Sequence, residues 1–179
     1  MVNILQSEHK ALRQTAKEIP LKEIGSVKIQ KIISQMKETL GSQEDGVAIA
    51  APQIGVPLRV FVISGKVLNF IKGDDGNVPK YPDMVFINPK ITKLSKEKKL
   101  MEEGCLSVRW LYGKVKRSNK ASIEAYDETG NFFKKGASGL MAQIFQHETD
   151  HLDGILFIDM AKDLKEIDPK DRPKEHAQA

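Results

Sequence analysis

The chain has 179 residues, of which 40% are apolar and 29% charged, with a net charge of +4 at pH 7. That length suits one domain with its own core, and the balance excludes a disordered chain. The apolar runs are short, Val60–Ile63 among them, which excludes a membrane-spanning helix, and the scattered lysines lack the Arg-rich or aromatic–basic pattern of specific nucleic-acid readout.

Met1 to Arg13 has no apolar stretch of signal-peptide type and carries Glu8, so a cytoplasmic location is expected. From Ser26 to Leu40 the residues Ile29, Ile32, Ile33, Met36 and Leu40 fall on one face of an amphipathic helix, with Gly41 as its stop. Leu58–Ile63 reads as a buried strand. Lys66 to Pro82 is polar and holds Gly73-Asp74-Asp75-Gly76-Asn77, which predicts a loop or hairpin tip. Met84–Asn88 and Lys90–Ser95 read as two short strands broken at Pro89. Ala121–Tyr126 and Asn131–Lys135 flank the turn Asp127-Glu128-Thr129-Gly130 and predict a hairpin. Ser138 is placed to cap a helix that runs to about Leu152, with Gly154 to end it.

Strands thus fill the middle, with a helix before and a helix after, which indicates an α+β domain. Residues 1–160 are expected to form a single catalytic domain. Residues 161–179 form a charged C-terminal tail, partly helical or frayed.

One motif carries chemistry. His147-Glu148-Thr149-Asp150-His151 fits the pattern HExxH. Histidines four residues apart share one helix face and converge on one ion, while the acid between them reaches a metal-associated water. Leu140 and Ile144 continue the same face, so the two histidines lie among apolar residues. A pair of hydrogen-bonded core histidines is the competing explanation, weakened by the acid at ligand spacing. A catalytic metal usually takes three protein ligands and leaves one position open. The third is Asp153, Asp159, Asp163 or Glu166 downstream, or the chain's one cysteine, Cys105, as a thiolate. A lone cysteine cannot form an internal disulfide, in keeping with a reducing compartment.

Three segments together resemble the peptide deformylase family. Gly46-Val47-Ala48-Ile49-Ala50-Ala51-Pro52-Gln53 is close to its GxGxAAxQ, Glu103-Gly104-Cys105-Leu106-Ser107 matches its EGCLS, and Gln146 to Gly154 matches its QHExDHLxG. The resemblance covers roughly Ile4 to Asp159. It implies antiparallel sheets around a central metal-binding helix that carries HExxH, and hydrolysis of the N-formyl group from the initiator methionine of new polypeptides. It also implies that Cys105, His147 and His151 are the metal ligands, with Fe²⁺ the usual ion and Zn²⁺, Ni²⁺ or Co²⁺ also accepted.

In that scheme Glu148 moves protons, and the Gln53 side-chain amide and the Leu106 backbone N–H stabilise the oxyanion. Substrate-binding candidates are Gly46, Val47, Ala48, Met101, Glu103, Gly104, Trp110, Leu140 and Ile144, with Glu103 also a candidate for orienting a ligand. The resemblance extends to a ribosome-docking tail in some relatives, and weak attraction of this mildly basic chain to the ribosome is compatible with it.

Two departures stand out. Ala48 replaces the family's second glycine, which predicts a narrower cleft and slower turnover or altered substrate preference. Ser107-Val108-Arg109-Trp110-Leu111-Tyr112-Gly113 lacks the common Pro-Gly pair, and Trp110 is a candidate shelf for the second or third residue of the peptide. They also motivate a rival function, a divergent hydrolase acting on another N-acyl substrate. A second rival is a non-catalytic binding module, which would need a fourth protein ligand.

Overall fold

The computed structural model describes residues 2–73 and 81–168. Helix α1 (Val27–Gly41) begins as the periodicity requires, with the Ser26 side chain accepting from the Ile29 N–H. It buries Ile29, Ile33, Met36 and Leu40.

Strands β1 (Ala48–Ala50), β2 (Val60–Ile63), β3 (Met84–Leu94), β6 (Lys120–Tyr126) and β7 (Phe132–Ser138) form an antiparallel sheet in the order β1-β2-β3-β6-β7. Strands β4 (Lys98–Cys105), β5 (Val108–Ser118) and β8 (Lys162–Glu166) form a second antiparallel sheet in the order β4-β5-β8.

The larger sheet is covered on both faces, and β2 shows why its sequence does not alternate with polar residues. Val60 and Val62 join the cluster containing Ile29, Ile33 and Met36 of α1. Phe61 and Ile63 point the other way, into a cluster with Met141, Ile144 and Phe145 of helix α3 (Gly139–Leu152). Helix α3 packs against β1, β3, β5, β6 and β7. Its end is fixed by Gly154, at φ 75°, where a Cβ would meet the backbone of Arg13 at 2.8 Å.

Three sequence expectations need correction. Residues 66–71, read from sequence as part of a loop, belong to helix α2 (Gly65–Ile71), capped by Ser64 and anchored by buried Val67. Residues 74–80 of that expected loop lie outside the described residues. Pro89 does not split the strand at Met84–Leu94. Asn88 takes φ 49° and bonds both N–H and C=O of Ile19, so a bulge absorbs the proline between the β2 and β6 pairings. Residues 162–166 are strand β8, hydrogen-bonded to β5, where a short helix was expected; residues 169–179 lie outside the described residues.

Candidate metal centre

Cys105 ends β4, and His147 and His151 stand one turn apart on α3. The β4–β5 hairpin and α3 come together, so that one ligand atom from each residue lies within 4.8 Å of the others. Cys105 Sγ is 3.1 Å from His151 Nε2. The other nitrogen of His147, Nδ1, lies 3.0 Å from Glu103 Oε2, which leaves Nε2 as the candidate ligand atom.

Glu103 is buried and committed. Arg117 Nε and Nη2 donate to its two oxygens at 2.7 and 3.0 Å, and Gln143 Nε2 adds a contact at 3.3 Å. Arg117 Nη1 also donates to Asp150 at 2.5 Å. Burial alone would raise the Glu103 pKa, but the hydrogen bonds and charges of His147 and Arg117 overcome it and lower the value to about 2. Its carboxylate is filled by protein partners, with the His147 ring among them.

Glu148 faces the opposite situation. It is buried, its Oε2 meets no protein hydrogen-bond partner, and burial raises its pKa to about 7, with His147 opposing and the charges of Glu103 and Asp150 adding to the rise. His151 Nδ1 is likewise without a protein partner. Burial lowers the His151 pKa and favours the neutral imidazole, and the charge of His147 acts in the same direction.

A thiolate and two imidazoles from rigid elements are a donor set for a transition-metal dication, and the orphaned buried oxygen of Glu148 suits a water beside it. Among the described residues no other such group of His, Cys, Asp and Glu was found.

Gln53 lies in the 3-10 turn after β1 and is 1% exposed. Its Oε1 accepts from the Ala50 N–H at 2.8 Å. That fixes the amide so that Nε2 points toward Ser107 Oγ at 3.1 Å and Cys105 Sγ at 3.5 Å. Leu106 follows Cys105, and its carbonyl accepts from Gln6 Nε2 at 3.2 Å.

The substrate-binding candidates divide. Gly46 precedes β1, where a Cβ would lie 2.9 Å from the Leu40 backbone, and at Gly104 one would lie 2.6 Å from the Tyr112 ring. Val47, Ala48, Leu140 and Ile144 pack in one apolar cluster; Met101 is not among that cluster's members. Leu140 also lines a depression of about 440 Å³ with Leu68, Ile71 and Met141.

Ala48 does not have the positive φ that would demand glycine, and its methyl packs in the core with α3. The glycine departure thus has a structural accommodation. Trp110 does have φ 67° and lies under the Arg109 guanidinium.

Sequence reading missed Arg117, Asp150, Gln143 and Gln6. Asp150 sits inside the motif, but Arg117 reads as one more basic residue in Lys114-Val115-Lys116-Arg117, and Gln6 is 100 residues from the carbonyl that it holds.

The family model for polypeptide deformylase matches residues 1–166. A peptide deformylase of Psychrobacter arcticus is 39% identical over 153 residues, which cover 86% of this chain and 76% of that protein. The chloroplastic peptide deformylase 1A of Solanum lycopersicum is 37% identical over 89% of this chain, which spans 59% of that protein's length. The Met-Ala-Ser-bound crystal structure of a class I type b peptide deformylase from Acinetobacter baumannii superimposes with a TM-score of 0.77 at 30% identity, covering 89% of this chain and 98% of that one.

Proposed function

This chain belongs to the polypeptide deformylase family, enzymes that hydrolyse the N-formyl group from new polypeptides, and we propose that Cys105, His147, His151 and Glu148 are the groups through which it does so. The observation that carries the residue assignment is the convergence of one sulfur and two histidines beside a buried acid whose Oε2 lacks a protein partner.

A divalent ion held by the three ligands would supply the Lewis acidity that makes water nucleophilic near neutral pH. Glu148 Oε2 takes the proton that the attacking water gives up, and returns it to the leaving amine nitrogen as the C–N bond breaks. The formyl carbon departs as formate. Negative charge grows on the formyl oxygen as water adds, and Gln53 Nε2, with the Leu106 N–H, stabilises it. Gln53 suits the role because Ala50 fixes its rotamer and an amide does not compete for the proton.

The helix that bears His147 and His151 is read as the central metal-binding helix, because it packs on the larger sheet while its histidines meet Cys105 from the smaller one. The peptide backbone is read as an added strand on the β1 edge. Among the described residues β1 pairs only with β2, and the Val47 carbonyl accepts from Ser64, so alternation turns the N–H and C=O of Ala48 to the open edge. Val47, Leu140 and Ile144 are the apolar residues read as receiving the methionine side chain. The Met-Ala-Ser peptide bound to the Acinetobacter deformylase supports a peptide ligand.

Fe²⁺ is the proposed ion. The same ligands suit Zn²⁺, Ni²⁺ or Co²⁺, and supply in the cell selects among them. No helix among the described residues is long and apolar enough to cross a membrane. The cytoplasm is the proposed location, with the ribosome exit region as a proposed place of encounter with substrate.

The test is formate release from a formyl-Met tripeptide by protein prepared without oxygen and loaded with Fe²⁺, beside a Glu148→Ala control with metal content confirmed. Release by the parent and not by the control supports the assignment. Equal release by both removes Glu148 from the reaction, and no release by either points to another acyl substrate.

A further inference from the structure

Asp45 immediately precedes Gly46, at the end of the β1 edge away from Gln53. Arg109 Nη1 donates to its carboxylate, and Arg109 Nη2 donates to Gln43 at 2.8 Å. The side chains of Arg109 and Asp45 are only 22% and 13% exposed. Arg109 stands at the start of β5, where its backbone N–H donates to Gln6 Oε1 at 3.4 Å, and its guanidinium lies 5.1 Å from the centre of the Trp110 ring. Trp110 at φ 67° has a conformation rare for a bulky residue, held by its surroundings, its carbonyl accepting from Ile167. The pair therefore ties the segment leading into β1 to the hairpin that carries Cys105.

On the peptide placement proposed above, on which this inference rests, the formyl group lies at the Gln53 end of β1. The chain that follows must leave in the other direction, past Ala48 and Gly46. From Ala48 back to Asp45 is three residues, about 10 Å of strand, which brings the third residue of the substrate to the Asp45–Arg109 pair.

We propose that this pair is a specificity determinant for the third residue of the formylated peptide, selecting against charge there. The two charges cancel each other, and the guanidinium plane against the Trp110 indole offers a flat, amphipathic surface to an uncharged side chain. Without Arg109, the Asp45 carboxylate draws cations. Without the Asp45 charge, Arg109 draws anions.

The experiment measures kcat/KM for formyl-Met-Ala-Ala, formyl-Met-Ala-Lys and formyl-Met-Ala-Glu, each relative to formyl-methioninamide, which ends short of the pair. Dividing by the short substrate removes any loss common to all substrates through folding or metal content. For Arg109→Ala the Lys/Ala ratio rises about three- to tenfold, and for Asp45→Asn the Glu/Ala ratio rises by a similar factor, as expected for a single partly buried charge. The double variant Asp45→Asn/Arg109→Ala returns both ratios toward the parent. Ratios that stay at parental values in both single variants overturn the proposal. Formate from none of the four substrates in the metal-loaded parent would instead overturn the function on which it rests.

Discussion

The His147 imidazole is held from behind by Glu103, Nδ1 to Oε2 at 3.0 Å, and Glu103 is in turn locked by Arg117 at 2.7 Å. The acid keeps the ring turned with Nε2 toward Cys105 and His151, and the arginine helps keep the acid ionised.

Glu103→Gln keeps the shape but loses the charge-assisted hold on Nδ1. Metal affinity should fall about 10- to 100-fold, measured by competition against a chromogenic chelator. Arg117→Met removes the partner of a buried charge and should destabilise the fold by about 3–5 kcal/mol, read from urea unfolding. Unchanged metal affinity in Glu103→Gln would dismiss the orienting role.

Glu148→Ala removes the proposed proton carrier without touching the proposed ligands. The protein should bind its metal at the parental stoichiometry while kcat falls by about 10²–10⁴. Metal analysis of the same sample used for kinetics separates this from loss of the ion.

Asp159 links acid stability to the segment that follows α3. Slight burial works against its charge, but the hydrogen bond from Arg13 at 2.5 Å and the Leu156 N–H outweigh it and depress its pKa below the ordinary 3.8. A depressed carboxylate adds stability that is full above the unfolded value and disappears as pH falls through the folded one. Asp159→Asn should therefore lower stability at neutral pH and leave the gap to the parent closing below pH 3.8, seen in urea midpoints across that range. A gap independent of pH would assign the effect to the hydrogen bonds alone.

Ala48→Gly restores the family's usual residue but empties a packed methyl position in an extended strand. Stability should drop by about 1–2 kcal/mol, combining backbone freedom with the lost methyl contacts. If turnover also rises, the methyl narrows the cleft; if only stability changes, its role is packing.

Much of the chemistry and of the local structure is legible in the amino-acid order. The HExxH spacing is a helical property, so His147 and His151 had to share a face if residues 139–152 were helical. Ser26, Gly154 and the turn at Asp127–Gly130 mark boundaries through local hydrogen bonding and backbone freedom. Local reading fails first at residues 66–71, where the Gly/Asp-rich stretch downstream masks a capped helix with buried Val67. It fails again at Pro89, whose missing donor is absorbed by the bulge at Asn88 and by that side chain's two bonds to Ile19.

The meeting of Cys105 with the two histidines belongs to long-range packing, because Cys105 and His151 are 46 positions apart and meet only when the hairpin docks on α3. The same holds for the surroundings of Glu103, whose carboxylate meets Arg117 from β5 and His147 from α3. The orientation of the Gln53 amide and the Asp45–Arg109 pair depend on that packing as well. Such contacts join residues distant in sequence, and their strength comes from burial that no local pattern encodes.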